Sequence, residues 1–406
     1  MTDMPAMRAA SLAAPVTMLG AANAVVVTIE FIVIGLLPLM ARDLGISIPE
    51  AGGFVAWFAL SAAVVGPVLT MAVSRFEPRH ILCVTLLVFG LGNIVAVMLP
   101  GYAALLAVRI VQGALLPTFV SVGNAAIARL AGPGRDGRAI AWVNLGLVGA
   151  IVLAVPAGVV AANQAGWTAT FFGLAVLALV AATFFAVAFP RLANDHQPSV
   201  TAQGAILRQP VFLMHLLLSG ILFTAMFAAY SYLADFLETV AGFSGEQIGP
   251  VLFGFGLAGL AGNMIAGYAV DRWMMAATTA VAVILAVTNV AISFFGNQLV
   301  GLLPLLAVWG VAHMAAFVLC QVRVMRAGAA APAFASSLNI AICNVGIACG
   351  AALGGWIVQH YGIANIGIGS GALAVCACTI ALWLIFRSGA TAMKVMPRPA
   401  GNDGFV

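Results

Sequence analysis

Glu30 is the residue whose setting promises the most chemistry. It interrupts an otherwise apolar run from Val25 to Leu37, broken only by Thr28, Glu30 and Gly35. Read as part of a helical span over 16–40, the carboxyl lies about ten residues, roughly 15 Å, from the span's outer end. A charge at such depth costs roughly 2.5–3.5 kcal/mol on insertion scales, and desolvation disfavours the ionised form. A carboxyl held there takes up and releases a proton near neutral pH, or attracts a cation; the alternative is a structural ion-pair partner. Arg109 is its natural companion, about seven residues or 10 Å inside its own apolar segment. It would tune the proton affinity of Glu30, bind an anionic group, or form a purely structural salt bridge. Gln112, one turn on, is placed to hydrogen-bond either residue or a ligand.

Trp309, His313 and Phe317 recur every four residues and so share one helical face. That face offers aromatic surface and a titratable imidazole, or it is ordinary packing around a hydrogen-bonded histidine. Phe223, Phe227 and Tyr230 form a second aromatic stripe, a pattern more often packing than pocket. Asp235, near Glu238, reads as a solvated helix end, and His215 as structural. No Gly-x-x-x-x-Gly-Lys-Ser/Thr loop exists, and the only lysine is Lys394, so ATP hydrolysis by that route is excluded. No metal-ligand spacing or nucleophile elbow appears, so no catalytic residue, metal or cofactor is expected. The six cysteines all fall in apolar segments without a Cys-x-x-Cys pair and read as packing residues.

The elements that must position these groups are membrane spans. Of 406 residues, 64% are hydrophobic and 7% charged, where a soluble domain carries about a quarter charged. The net charge of +4 gives no reason to invoke nucleic acid. Stretches of about 20 apolar residues predict spans at 16–40, 52–74, 80–99, 102–128, 139–161, 168–189, 210–234, 248–270, 274–295, 299–322, 334–358 and 365–386. With the N-terminus in the cytoplasm, fourteen of the 16 basic residues fall on the cytoplasmic side and only Arg42 on the other, with Arg109 inside a span. That bias predicts twelve helices with both termini inside.

The two halves repeat. Gly45-Ile46-Ser47 and Gly242-Phe243-Ser244 follow spans one and seven, and Arg75 and Arg272 end spans two and eight, each pair 197 apart. Asn144-Leu145-Gly146 and Asn344-Val345-Gly346 are 200 apart. The expected organisation is an N-terminal six-helix bundle (1–189), a cytoplasmic linker (190–209), a C-terminal six-helix bundle (210–387) and a cytoplasmic tail (388–406). Duplicated bundles of this kind bind their substrate at the repeat interface near the midplane.

Four stretches then carry a family resemblance. They are Thr28-Ile29-Glu30-Phe31 with Gly35-Leu36-Leu37-Pro38 and Asp43-Leu44-Gly45; Arg109-Ile110-Val111-Gln112-Gly113; Gly146, Gly149 and Pro156-Ala157-Gly158; and Ser337-Leu338-Asn339-Ile340 with Asn344, Gly346, Gly350, Gly354 and Gly355. The chain resembles the major facilitator superfamily, within it the bacterial drug:proton antiporter branch, from about Thr17 to Arg387. The resemblance implies an all-α membrane fold of two pseudo-symmetric bundles, with helices one, four, seven and ten lining a central cavity and helices one and four as neighbours. It implies proton coupling at Glu30 and Arg109, a substrate lining that includes Phe31, Gln112, Phe223, Phe227, Tyr230, Trp309, His313 and Phe317, and export rather than import. Gly146, Gly149, Pro156 and Gly158 would let span five close against span eleven and seal the cavity. The gating loop motif departs from the family in the first half, where Ser74 stands for its aspartate before Arg75. The second half keeps it as Gly267, Asp271 and Arg272.

The implied protein is a monomer in the inner membrane that moves a small amphipathic molecule such as a drug, nucleoside or sugar against protons. The rivals are a proton-coupled importer, a membrane-embedded enzyme and a sensor. One buried arginine is too few for a strongly anionic substrate such as a phosphate ester.

Overall fold

A backbone crossing hydrocarbon must satisfy its own hydrogen bonds, so the apolar runs become helices. The computed structural model describes residues 9–73, 75–132, 135–192, 204–330 and 332–395, and among these the chain is helical with no strand. Helices α1 (Ala9–Leu44), α2 (Ile48–Val73), α3 (Pro78–Met98) and α4 (Tyr102–Ala131) lead into α5, where Asp136–Gly149, Ala150–Ala154 and Val155–Ala165 run on as one span, and α6 (Trp167–Ala188). The second half has α7 (Pro210–Tyr230, resumed as Leu233–Thr239), a long helix Gly245–Phe295, α10 (Leu299–Ala327), α11 (Pro332–Tyr361) and α12 (Ile366–Val395). The long helix has 51 residues, about 76 Å of rise, against a hydrocarbon core of about 30 Å. It breaks at Trp273 (φ −137°, ψ 36°), giving α8 before the break and α9 after it. Eleven helices among the described residues are long and apolar enough to cross a membrane, and the break adds the twelfth crossing that the sequence predicts. The last helix runs on to Val395, into the expected tail. Ser74 and most of the expected linker lie outside the described residues.

The repeat is visible in backbone geometry. Gly45 and Gly242 end α1 and α7 at φ 64° and 72°, a conformation glycine adopts without penalty. In each, the amide that follows the glycine turns back on the helix, Ile46 N to Ala41 O at 3.1 Å and Phe243 N to Leu237 O at 3.0 Å. Each next helix opens on a reciprocal cap. Ser47 N donates to Glu50 Oε2 at 2.8 Å and Glu50 N to Ser47 Oγ at 3.3 Å, while Ser244 N donates to Gln247 Oε1 at 2.9 Å.

Helices close on one another through small residues. A Cβ on Gly146 of α5 would overlap the Gly20 carbonyl oxygen of α1, whereas nothing lies within 4 Å of one on Gly149. Gly146→Val should therefore cost about 1–3 kcal/mol and lower the apparent melting temperature in detergent. Gly149→Ala should leave melting unchanged or slightly raised, and equal behaviour of the two variants would refute this packing account.

The halves meet tightly toward the face that carries the turns at Gly45 and Gly242 and holds few basic residues. Arg42 pairs with Glu238 there, and a Cβ on Gly245 would meet Asn163. The hydroxyl of Tyr232 donates to Ala351 O at 2.8 Å and fills the space where Gly52 of α2 and Gly355 of α11 lack side chains. Deeper in, Gly249 and Gly256 of α8 pack on Pro156 and Val152 of α5. The expected partner of α5 is thus corrected: it closes on α8, and α11 closes on α2 and α7. Symmetry is the physical reason. Helices five and eleven are equivalents, as are two and eight, so the contacts 5–8 and 11–2 are one contact repeated.

Candidate functional site

Glu30 sits midway along α1, partly buried, between Ile29 and Phe31 at 1% and 8% exposure. Arg109 of α4 is 1% exposed. Its Nη1 donates to Ile29 O at 2.7 Å, its Nη2 to Glu30 O at 2.8 Å and its Nε to Phe54 O of α2 at 3.4 Å. Its guanidinium carbon lies 4.1 Å from the centre of the Phe58 ring. The arginine therefore reaches Glu30 as the sequence predicts, but grips the peptide backbone. Among the described residues no salt bridge joins the two side chains. The guanidinium fork is filled by carbonyls from two helices, so it supplies positive charge beside the carboxyl without tying it down.

Gln112 departs from expectation. Its Nε2 donates to Phe89 O at 3.3 Å and to Asn93 Oδ1 at 2.9 Å, tying α4 to α3 and away from Glu30. Helix α4 is wedged between α2 and α3, and the amide reaches the neighbour that Arg109 does not.

The two aromatic stripes join into one cluster. Around His313 stand Tyr230 at 4.6 Å, Phe227 at 5.6 Å, Phe255 at 5.7 Å, Phe317 at 5.8 Å and Trp309 at 6.5 Å between ring centres. Phe223 packs on Phe317 at 4.8 Å, and Phe31 of α1 meets Phe227 at 6.1 Å, carrying the cluster across to the other half beside Glu30. His313 and Trp309 are both 0% exposed. Among the described residues neither imidazole nitrogen nor the indole Nε1 has a hydrogen-bond partner, so the expected bonded histidine of ordinary packing is not what the structure holds. Buried polar groups are rarely left this way.

The gating residues divide. In α5, residues Ala150–Ala154 form a π-helical turn between Gly149 and Pro156, a local widening that marks functional sites. A Cβ on Gly158 would press on Ile32, while Gly149 and Gly267 face open space. Asp271 and Arg272 do not act together: Asp271 pairs with Arg326 of α10 at 2.6 Å, and Arg272 bonds Tyr268 and lies over its ring. Arg75 stacks on Phe76 at 5.1 Å. Asp235, expected to be solvated, is 7% exposed and accepts from Thr239 Oγ1 at 3.1 Å, because Leu233–Thr239 packs beneath the seal.

Sequence reasoning missed a second buried arginine. The expected span 299–322 leaves Arg323 among the fourteen basic residues on the cytoplasmic side, yet α10 continues to Ala327 and leaves Arg323 0% exposed. It donates to His215 O at 3.0 Å, Ser219 Oγ at 2.8 Å and Cys320 Sγ at 3.7 Å, with His215 Nδ1 at 3.1 Å. The available signal was spacing: Phe317, Cys320 and Arg323 continue the helical face of His313.

Among the described residues, twelve helical crossings in two repeated bundles, meeting at a charged and aromatic contact, have the architecture of a polytopic membrane transporter of the facilitator type. A family model described as the Major Facilitator Superfamily matches residues 19–332, and the chain belongs to that family. It is 30% identical to the inner membrane transport protein YdhP of Escherichia coli, over 82% of this chain and 85% of that one. It is 29% identical to an uncharacterized MFS-type transporter, YbcL, of Bacillus subtilis, over 89% and 93%. Among solved structures it shares its fold with a bacterial homologue of the human lysosomal transporter Spinster (TM-score 0.75, 13% identity, 98% and 100% covered). The nucleoside transporter NupG matches similarly (0.72, 13%, 90% and 99%).

Proposed function

We propose that this transporter exports a small amphipathic molecule across the inner membrane in exchange for protons, with both termini cytoplasmic. Glu30 carries the proton and Arg109 tunes it. The observation that carries this reading is a mid-span carboxyl whose backbone is bolted to a buried arginine, directly beside the Phe31–Phe227 contact between halves. A proton taken up at Glu30 is thus adjacent to the surface that must separate when the halves move. The tight seal at the face with few basic residues supports a state open toward the cytoplasm, and the π-helical turn before Pro156 supports the export motif.

The test is substrate-linked proton movement in proteoliposomes with a pH dye inside, against a panel of drugs, nucleosides and sugars. An exporter gives proton flux opposite in sense to substrate; an importer gives flux in the same sense. Flux with no member of the panel would overturn proton coupling for these substrates.

The seal also gives a reversible lock. Cysteines at Asn163 and Gly245 should cross-link on oxidation and stop transport, with reductant restoring it. A cross-linked protein that transports at the unlinked rate would show that this face does not open in the cycle.

A further inference from the structure

We infer that the seam between α7 and α10 binds a substrate carrying one anionic group on an aromatic or apolar body, with Arg323 taking the anion. This rests on the transport reading above and names its substrate class. Among the described residues Arg323 is a fully buried cation without a counter-ion. No aspartate or glutamate occurs between Asp271 and Asp403, and none in Pro210–Tyr230. The Asp271 carboxylate is taken by Arg326 at 2.6 Å. The partners of Arg323 are neutral, and its Nε is buried with none. A buried charge left unpaired is costly, and such charges are held where a partner arrives.

The seam continues this chemistry toward the midplane. His215, Ser219, Phe223 and Phe227 lie on one face of α7 at four-residue spacing, against Arg323, Phe317 and His313 of α10. Phe317 is about 9 Å along the helix from Arg323, the span of a carboxylate joined to a bicyclic ring. Beyond it, about 15 Å along the helix from Arg323, His313 carries unpartnered ring nitrogens that a longer ligand would reach. His215 and Phe317 are only partly buried, whereas Arg323 and His313 are fully buried. The expectation against anionic substrates rested on a single buried arginine; there are two, and Arg109 alone has an acid beside it.

The experiment is equilibrium binding to the full chain in nanodiscs of neutral phosphatidylcholine, with no gradient, so that its outcome is independent of proton coupling. The probes are naphthalene-1-carboxylate, its uncharged amide, and naphthylmethylammonium. The carboxylate should bind at least about tenfold tighter than the amide, with the ammonium weakest. Arg323→Gln should erase that preference while the amide still binds, and Phe317→Ala should weaken carboxylate and amide alike. If Arg323→Gln does not fold, Arg323→Lys, which keeps the charge but not the fork, should retain part of the preference. Equal affinities, no binding, or tightest binding of the ammonium would overturn the proposal. So would phosphatidylglycerol retention that depends on Arg323 without any carboxylate preference, which would make a lipid headgroup the counter-ion.

Discussion

Glu30→Gln abolishes substrate-linked proton movement, bringing the dye signal down to that of protein-free liposomes, while the folded protein is retained. Glutamine matches the carboxyl in size and hydrogen-bonding shape but has no proton to exchange in this range. The grip on this part of α1 runs through the carbonyls of Ile29 and Glu30, which the substitution leaves in place. The neutral side chain removes one buried charge but leaves the Arg109 guanidinium without its counter-charge, so melting should fall by less than for Arg109→Gln, which loses the backbone bonds as well. Proton flux surviving in the variant would remove Glu30 from coupling and leave transport standing.

The second large effect is expected at Arg109. Its three backbone bonds tie α4 to α1 and α2, and its charge compensates the carboxyl beside it. Arg109→Gln should lower stability by on the order of 3 kcal/mol or more, since bonds from charged donors contribute about 1.5–3 kcal/mol each and are not additive. Arg109→Lys should fall between, because one ammonium does not span the carbonyls of Ile29 and Glu30 as a fork does. Adding Glu30→Gln to Arg109→Gln should recover part of the loss, by relieving a buried carboxylate of its missing counter-charge. Thermal unfolding of the four variants in one detergent decides this. A cycle with no coupling between the two positions would mean that Arg109 acts on the backbone alone.

Much of this was legible in the chain because hydrocarbon permits so few solutions. Span count, the repeat and the shared faces of Trp309, His313 and Phe317 follow from apolar length and helical period. What sequence could not order were choices among neighbours. Arg109 and Gln112 lie three residues apart on one helix, yet one reaches α1 and the other α3. The partner of α5 was misread because its glycines satisfy two different contacts: Gly146 serves its own half, and the turn at Pro156 serves the other. Arg323 was misplaced because hydropathy ends a span where charge begins, whereas α10 carries its last turn past the arginine and folds it inward. Asp235 was misread for the same reason.

The hydroxyl of Tyr232, set between Gly52 and Gly355, has an electrical consequence. At that point a phenol donating to a backbone carbonyl occupies the space that two glycines leave, beside a cavity lined by Ser47, Glu50, Gly355 and Gln359. In the export cycle proposed above, this contact is the dielectric of a capacitor: the membrane voltage would fall across it whenever this face is closed.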